Sequence, residues 1–258
     1  MSSAYKVRAH NAATESENRI HADDVAQQYG FKGGLVPGVT VYAYMVWPAA
    51  SQWGIQWVEG GAMSARFAQP LYEGDQATIT FDGAAITALN SDGESCATGT
   101  ASINGGGPAP SIDDYPVAAL PETRPQASPD SLAKGTLLGS VGAGFHADRA
   151  DEYLDEVADD LPLWRTDRVA HPGYLLRSAN LILSSNVKLG PWIHVSSECR
   201  HFGAVGDGDR WSTRGHVSDA YERKGHKFVE LDLLVVANDA APIMAIRHTA
   251  IYEPARRA

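Results

Sequence analysis

Between Glu15 and His21 the chain sets out two carboxylates, a hydroxyl, a carboxamide and an imidazole, in the order Glu15, Ser16, Glu17, Asn18, His21. An imidazole titrates near pH 6.5 when unperturbed, so it can take and return a proton at neutral pH. A nearby carboxylate would support the imidazolium. The group therefore has the composition of an acid/base site. A second reading stays open on the residues alone. Asp23 and Asp24 suit the first turn of a helix, which would make His21 a helix-start residue and its neighbours a polar loop. Gly38, following Val36 and Pro37, precedes the apolar run Val39 to Trp47. It serves there as a tight entry to a buried helix.

Such residues need a scaffold, and the chain is long enough to supply one. At 258 residues, with 44% hydrophobic and 20% charged side chains, it reads as globular, as one large domain or two smaller ones. No apolar run approaches the roughly 18 residues that span a bilayer. The N-terminal residues lack the basic and apolar segments of a secretory signal, and a cytoplasmic location is expected. Cys96 and Cys199 are far apart and have no metal or redox spacing, so no disulfide is expected. The net charge of -10 argues against nucleic acid or an anionic membrane as partner. The nine histidines form no metal-spaced cluster.

The order of motifs occurs twice. Val25-Ala26, Pro37-Gly38, an apolar segment and "SARFAQPLYEGD" in the first half are answered by Val157-Ala158, Pro172-Gly173, another apolar segment and "ECRHFGAVGDGD". Arg66 and Arg200 each precede the glycine of their motif, Gly74 and Gly208, by the same spacing. A stretch rich in Pro, Gly and Ala separates the copies, which predicts domains at 1–104 and 133–258 joined by a linker at 105–132. Shortening this linker by a few residues between Pro108 and Pro125 is expected to change stability little. The runs Val39 to Trp47 and Tyr174 to Val187 are apolar on most sides and predict two enclosed helices, the first stopping at Pro48. The β-rich stretches after each helix predict a curled antiparallel sheet around it, with turns at Asn90, Asp92-Gly93 and Asn238-Asp239. His171 reads as a structural histidine, Arg177 as a cation facing the interface of the halves, and Arg66 and Arg200 as strand residues on solvated faces.

The stretch N-R-I-H-A-D-D-V-A…Y-G-F-K-G-G-L-V-P-G resembles the signature of the MaoC-like (R)-specific enoyl-CoA hydratases and dehydratases, with Asn18, His21, Asp23, Ala26, Gly30, Phe31 and Gly38 at matching positions. The duplicated order is similar to that of the double-hot-dog members. The resemblance implies an α+β double hot-dog, two antiparallel sheets each wrapped around a central helix. It also implies hydration or dehydration of an acyl thioester such as a 2-enoyl-CoA or 3-hydroxyacyl-CoA. His21 would be the acid/base, Asn18 would position water, and the Gly38 amide would face the thioester carbonyl. Val36, Pro37 and Glu15 are grouped with Gly38 as substrate contacts. Coenzyme A enters only as part of the substrate, no other cofactor or metal is implied, and a homodimer is left open.

Three departures bear on the chemistry. Ser16 stands where the family has its catalytic aspartate, Arg19 where it has proline, and Pro37 where many members have histidine. Glu17 or Glu15, one methylene longer than aspartate, are the candidate replacements, with Ser16 offering only a hydroxyl. Counting back from Val157-Ala158 places Tyr153 opposite His21 and Asp148 opposite Ser16, so the second half lacks the histidine and would shape the pocket. A hot-dog thioesterase and an inactive acyl-binding protein are the alternative activities.

Overall fold

The structure is a computed structural model and describes residues 4–255, so the ends of the two expected domains, 1–3 and 256–258, lie outside the described residues. The first half runs β1 (Tyr5–Arg8), α1 (Asp23–Gln28), α2 (Gly38–Trp53), α3 (Ile55–Gly60), β2 (Ala62–Phe67), β3 (Gln76–Phe81), β4 (Ala85–Leu89) and β5 (Ser95–Ser102). The second runs β6 (Leu137–Gly144), α4 (Ala150–Glu156), α5 (Pro162–Thr166), α6 (Pro172–Asn186), β7 (Ile193–His201), β8 (Arg210–Arg223), β9 (His226–Ala237) and β10 (Ala241–Glu253). All ten strands form one sheet in the order β1-β3-β4-β5-β2-β7-β10-β9-β8-β6. The expected two sheets are thus halves of a continuous one, because β2 and β7 pair edge to edge and leave no open strand between them.

The pairing of β2 with β7 is self-symmetric. Exchanging Arg66 for Arg200, and every other residue by the same offset, maps the pair Ala62–Arg200 onto Arg66–Ser196 and leaves Ser64–Glu198 on itself. The repeated sequence motifs have a structural cause. Gly74 and Gly208 both take left-handed backbone, at φ 83° and 87°, in turns that L side chains rarely adopt. The following aspartates tie these turns together: Asp75 accepts the Tyr72 amide at 2.9 Å, and Asp209 the Gly206 amide at 2.7 Å.

Both long helices are enclosed, as their apolar circumference requires. Pro48 does not end α2. An interior proline forfeits a helical hydrogen bond at a cost of about 3 kcal/mol, but Ala49 and Ala50 beyond it are buried and keep the helix running to Trp53. Its end comes at Gly54, whose φ is 60°. The two-residue match of Val25-Ala26 to Val157-Ala158 does not hold in three dimensions. Ala158, at φ 49°, ends α4 in the way Gly30, at φ 83°, ends α1. The short 3-10 turns ahead of these helices, Arg19–His21 and Ala147–Arg149, then set Arg149, and not Tyr153, opposite His21. Tyr153 lies inside α4.

The segment between the halves is not a loose tether. Tyr115 is buried with Leu234 and Val236 on the outer face of the sheet, and its hydroxyl donates to Asp232 at 2.9 Å. Ser140 and Ala118 join it to β6, and Leu132 is wholly buried. The expected tolerance to shortening therefore gives way to a stability cost. Tyr115→Ala is expected to cost about 3–5 kcal/mol, the usual range for deleting a buried aromatic ring. Thermal or denaturant unfolding checks this, and an unchanged midpoint would show that the strap contributes nothing.

Candidate active site

His21 ends the 3-10 turn that leads into α1, and both of its ring nitrogens are engaged. Nδ1 lies 2.6 Å from the Leu35 carbonyl oxygen, which can only accept, so Nδ1 carries the proton. Nε2 lies 3.3 Å from Asn18 Nδ2. The orientation of the Asn18 amide is fixed by Trp192, whose carbonyl accepts from Nδ2 at 3.0 Å while its N–H donates to Oδ1 at 3.1 Å. Nε2 of His21 thus carries a lone pair, which accepts from the neutral Asn18 carboxamide. Burial pushes the His21 pKa below the ordinary imidazole value, and the Leu35 contact opposes that shift only in part.

The backbone around His21 is held in place. Its carbonyl accepts from the buried Asn11 carboxamide at 2.9 Å. A Cβ on Gly34 would fall 2.0 Å from that same carbonyl oxygen, so the second glycine of "GG" is a requirement of close backbone approach, while a Cβ on Gly33 would fall 2.8 Å from Asp23 Oδ1. Asp23 accepts the Gly34 amide at 2.7 Å. Asp23 is therefore a loop-fixing residue, which explains its presence in the motif without giving it chemistry.

Asn18 joins the first half to Trp192 just ahead of β7, and the site lies between the halves. Two cavities of about 590 and 730 Å³ share His21, Asn18, Pro37, Asn180 and Trp192. Asn180 and Thr40 each bring a buried side-chain oxygen without a partner to the walls. The larger cavity reaches Val36 and Gly38 and is lined inside by Ile20, Leu35 and Phe67.

The two central helices begin differently. At α6 the N-cap residue His171 accepts the Gly173 amide on Nδ1 at 2.9 Å and contacts Asp159 through Nε2 at 3.1 Å, a buried structural role. At α2 the N-cap is Pro37, which has no capping side chain. The first amides of α2 stay open beside the cavity that holds His21. An uncapped helix N-terminus presents donors and partial positive charge to an anionic oxygen.

The expected carboxylate partners go elsewhere. Glu17 is drawn outward into an ion pair with Arg124 at 2.9 Å, and that pairing lowers its pKa. Glu15 is exposed, and the Ser16 hydroxyl donates to the Asn18 carbonyl at 3.1 Å. Among the described residues no carboxylate bonds to His21. The carboxylates lining the smaller cavity are Glu17 and Glu156, and Glu156 is paired with Arg177, whose guanidinium lies over the Tyr153 ring. Arg177 does face the interface, as its place in the sequence suggested. Arg124, Trp192, Asn180 and His194 were not singled out by sequence, since each reaches the site from a distant part of the chain.

No family model matches the sequence, and no curated protein matches it. Solved structures do match. A conserved Mycobacterium tuberculosis protein with a double hot-dog fold, essential for bacterial survival during infection, is 16% identical over 97% of this chain and 96% of its own, with TM-score 0.61. A MaoC domain protein of Chloroflexus aurantiacus assigned as a dehydratase is 13% identical over 100% and 95%, with TM-score 0.61. A MaoC-like dehydratase is 13% identical over 97% of each chain, also with TM-score 0.61. The chain is thus a double-hot-dog protein. At these identities the likeness establishes the fold, and the chemistry rests on the site itself.

Proposed function

We propose that the protein is a hydro-lyase that adds water to, or removes it from, an acyl thioester such as a 2-enoyl-CoA or 3-hydroxyacyl-CoA. The observation that carries this reading is the proton-free Nε2 of His21 beside the Asn18 carboxamide, in a cavity shared with the open N-terminus of α2. In the hydration direction a water molecule replaces His21 Nε2 as the acceptor of the Asn18 N–H, Nε2 takes its proton, and the water oxygen bonds to C3 of the enoyl group. The electron pair of the double bond moves towards the thioester carbonyl, where the Gly38 amide meets the developing negative charge. His21 returns the proton to C2 and is neutral again. One base thus serves both proton transfers, which accounts for Glu17 being free to pair with Arg124 and for a hydroxyl at Ser16. Val36 and Pro37 shape the wall at the carbonyl, Glu15 is exposed and lines neither cavity, and coenzyme A takes part only as the carrier of the acyl group.

A panel of enoyl-CoA and 3-hydroxyacyl-CoA thioesters tests this, with the double bond and the free thiol followed together. The expected result is interconversion of the two thioesters with no thiol released. Because Nε2 must be free of its proton, activity should fall as pH drops through a pKa lower than about 6.5, the direction in which burial moves His21. Thiol release as the main event, or an acid limb centred above that value, would contradict the reading.

A further inference from the structure

We infer that His194 is a second donor for the substrate's carbonyl oxygen, acting from the sheet opposite the N-terminus of α2; the inference rests on the acyl-thioester reading of the site. His194 is 7% exposed and lines the same cavity as His21 and Gly38. A Cβ on Gly38 would fall 2.7 Å from its Nδ1, so glycine is what allows the ring to approach the start of α2. That Nδ1 has no hydrogen-bond partner. A buried polar atom without a partner, near the uncapped start of α2 and beside a ligand-sized cavity, is a contact waiting for a ligand.

The position is set by an irregularity in the sheet. β7 pairs with β10 through Thr249–Ser196 and then Ala250–His194, leaving Val195 as an extra residue. This bulge turns both His194 and Ser197 to the inner face, where they would otherwise lie on opposite sides. His194 Nε2 lies 2.8 Å from Ser197 Oγ, and that oxygen lies 3.0 Å from His248 Nδ1. The two imidazoles lie 4.3 Å apart, and Phe67 closes the His194 ring from another side.

Two proton arrangements satisfy the contacts through Ser197, and each leaves one N–H without a protein partner, at His248 Nε2 or at His194 Nδ1. The cavity distinguishes them: His194 lines it beside Gly38 and His248 lines neither cavity, so an N–H on His194 is the one that a ligand can meet. In that arrangement His248, protonated on Nδ1, donates to Ser197 Oγ, the hydroxyl donates to His194 Nε2, and His194 carries its proton on Nδ1. A carbonyl oxygen placed at the start of α2 then receives hydrogen bonds from Gly38 and His194 together. Both rings are kept neutral by burial, which takes His248 down to about 3 and His194 well below the ordinary value. His194 is thus a neutral donor at working pH, and it contributes no titration of its own to the rate profile.

Cinnamoyl-CoA, a chromophoric enoyl thioester, reads this contact directly, because polarising its carbonyl moves its absorption to longer wavelength. Bound to the His21→Gln protein, it should show a red shift that is lost in His21→Gln/His194→Leu and largely restored in His21→Gln/His194→Asn, whose amide N–H occupies the place of Nδ1–H. His194→Leu alone should lower kcat by about 10²- to 10³-fold with little change in KM, the usual effect of removing one such donor. Should the leucine variant not fold, nitrogen-15 NMR of His194 in the His21→Gln complex decides the matter. A proton on Nδ1 supports the inference, and a proton on Nε2 overturns it. A red shift unaffected by leucine also overturns it while leaving the thioester site intact. Neither a shift nor turnover in proteins that retain His194 would remove the thioester reading and this inference with it.

Discussion

Replacing His21 by glutamine is expected to lower turnover of an accepted enoyl thioester by about 10²- to 10⁴-fold, the range for losing a positioned proton-transfer group. The fold should survive. The ring is held by one strong contact, Nδ1 to Leu35 at 2.6 Å, which a carboxamide can partly replace. Asn11, Asp23 and Gly34 hold the backbone at this position without help from the imidazole. The loss should therefore appear in kcat with the melting temperature nearly unchanged. Glu17→Gln is the matching control: its carboxylate belongs to Arg124, so activity should change little. Full activity in His21→Gln would return His21 to the role of a helix-start residue.

The protein is also expected to unfold in mild acid. His194, His201 and His248 are all buried, and burial holds each pKa down, to about 4 for His201 and about 3 for His248. In the unfolded chain each would titrate near 6.5. Between the two values the unfolded state binds a proton that the native state does not, so stability rises with pH there and is lost as pH falls. Above about 6.5 the histidines cost nothing. Below it, each removes about 1.4 kcal/mol per pH unit until its folded pKa is reached. Three such groups together approach the roughly 5–15 kcal/mol that stabilise a typical domain, so acid unfolding should be centred at roughly pH 4–6. His201→Asn keeps a donor for the Trp57 carbonyl, which lies 3.0 Å from Nδ1, and removes one titration. It should lower by about one the number of protons taken up on unfolding. A native fold at pH 3, or no change in proton uptake in the variant, would contradict the account.

What could be read in the sequence follows from where each constraint is local. The duplicated turns at Gly74 and Gly208 were legible because left-handed backbone calls for glycine and the following aspartate caps the turn within a few residues. The enclosed helices were legible from their apolar circumference, and His21 with Asn18 from one short stretch. Other features depend on contacts between distant residues. Glu17 looked available to His21 until Arg124, from the strap between the halves, claimed it. His194, Ser197 and His248 come together through a bulge and a long-range strand pairing, neither of which leaves a mark in the local sequence. The match of Tyr153 to His21 failed because two shared residues carry no information on helix phase, whereas the left-handed residues that end α1 and α4 do.

The central claim is that His21 directs water to carbon and leaves the thioester whole. Incubation with a 2-enoyl-CoA in water enriched in oxygen-18, followed by mass spectrometry, tests it most directly. The account requires the label in the hydroxyl of an intact 3-hydroxyacyl thioester, with the label lost in His21→Gln. Label in a free carboxylate together with released coenzyme A, or an unlabelled substrate recovered unchanged, would contradict it.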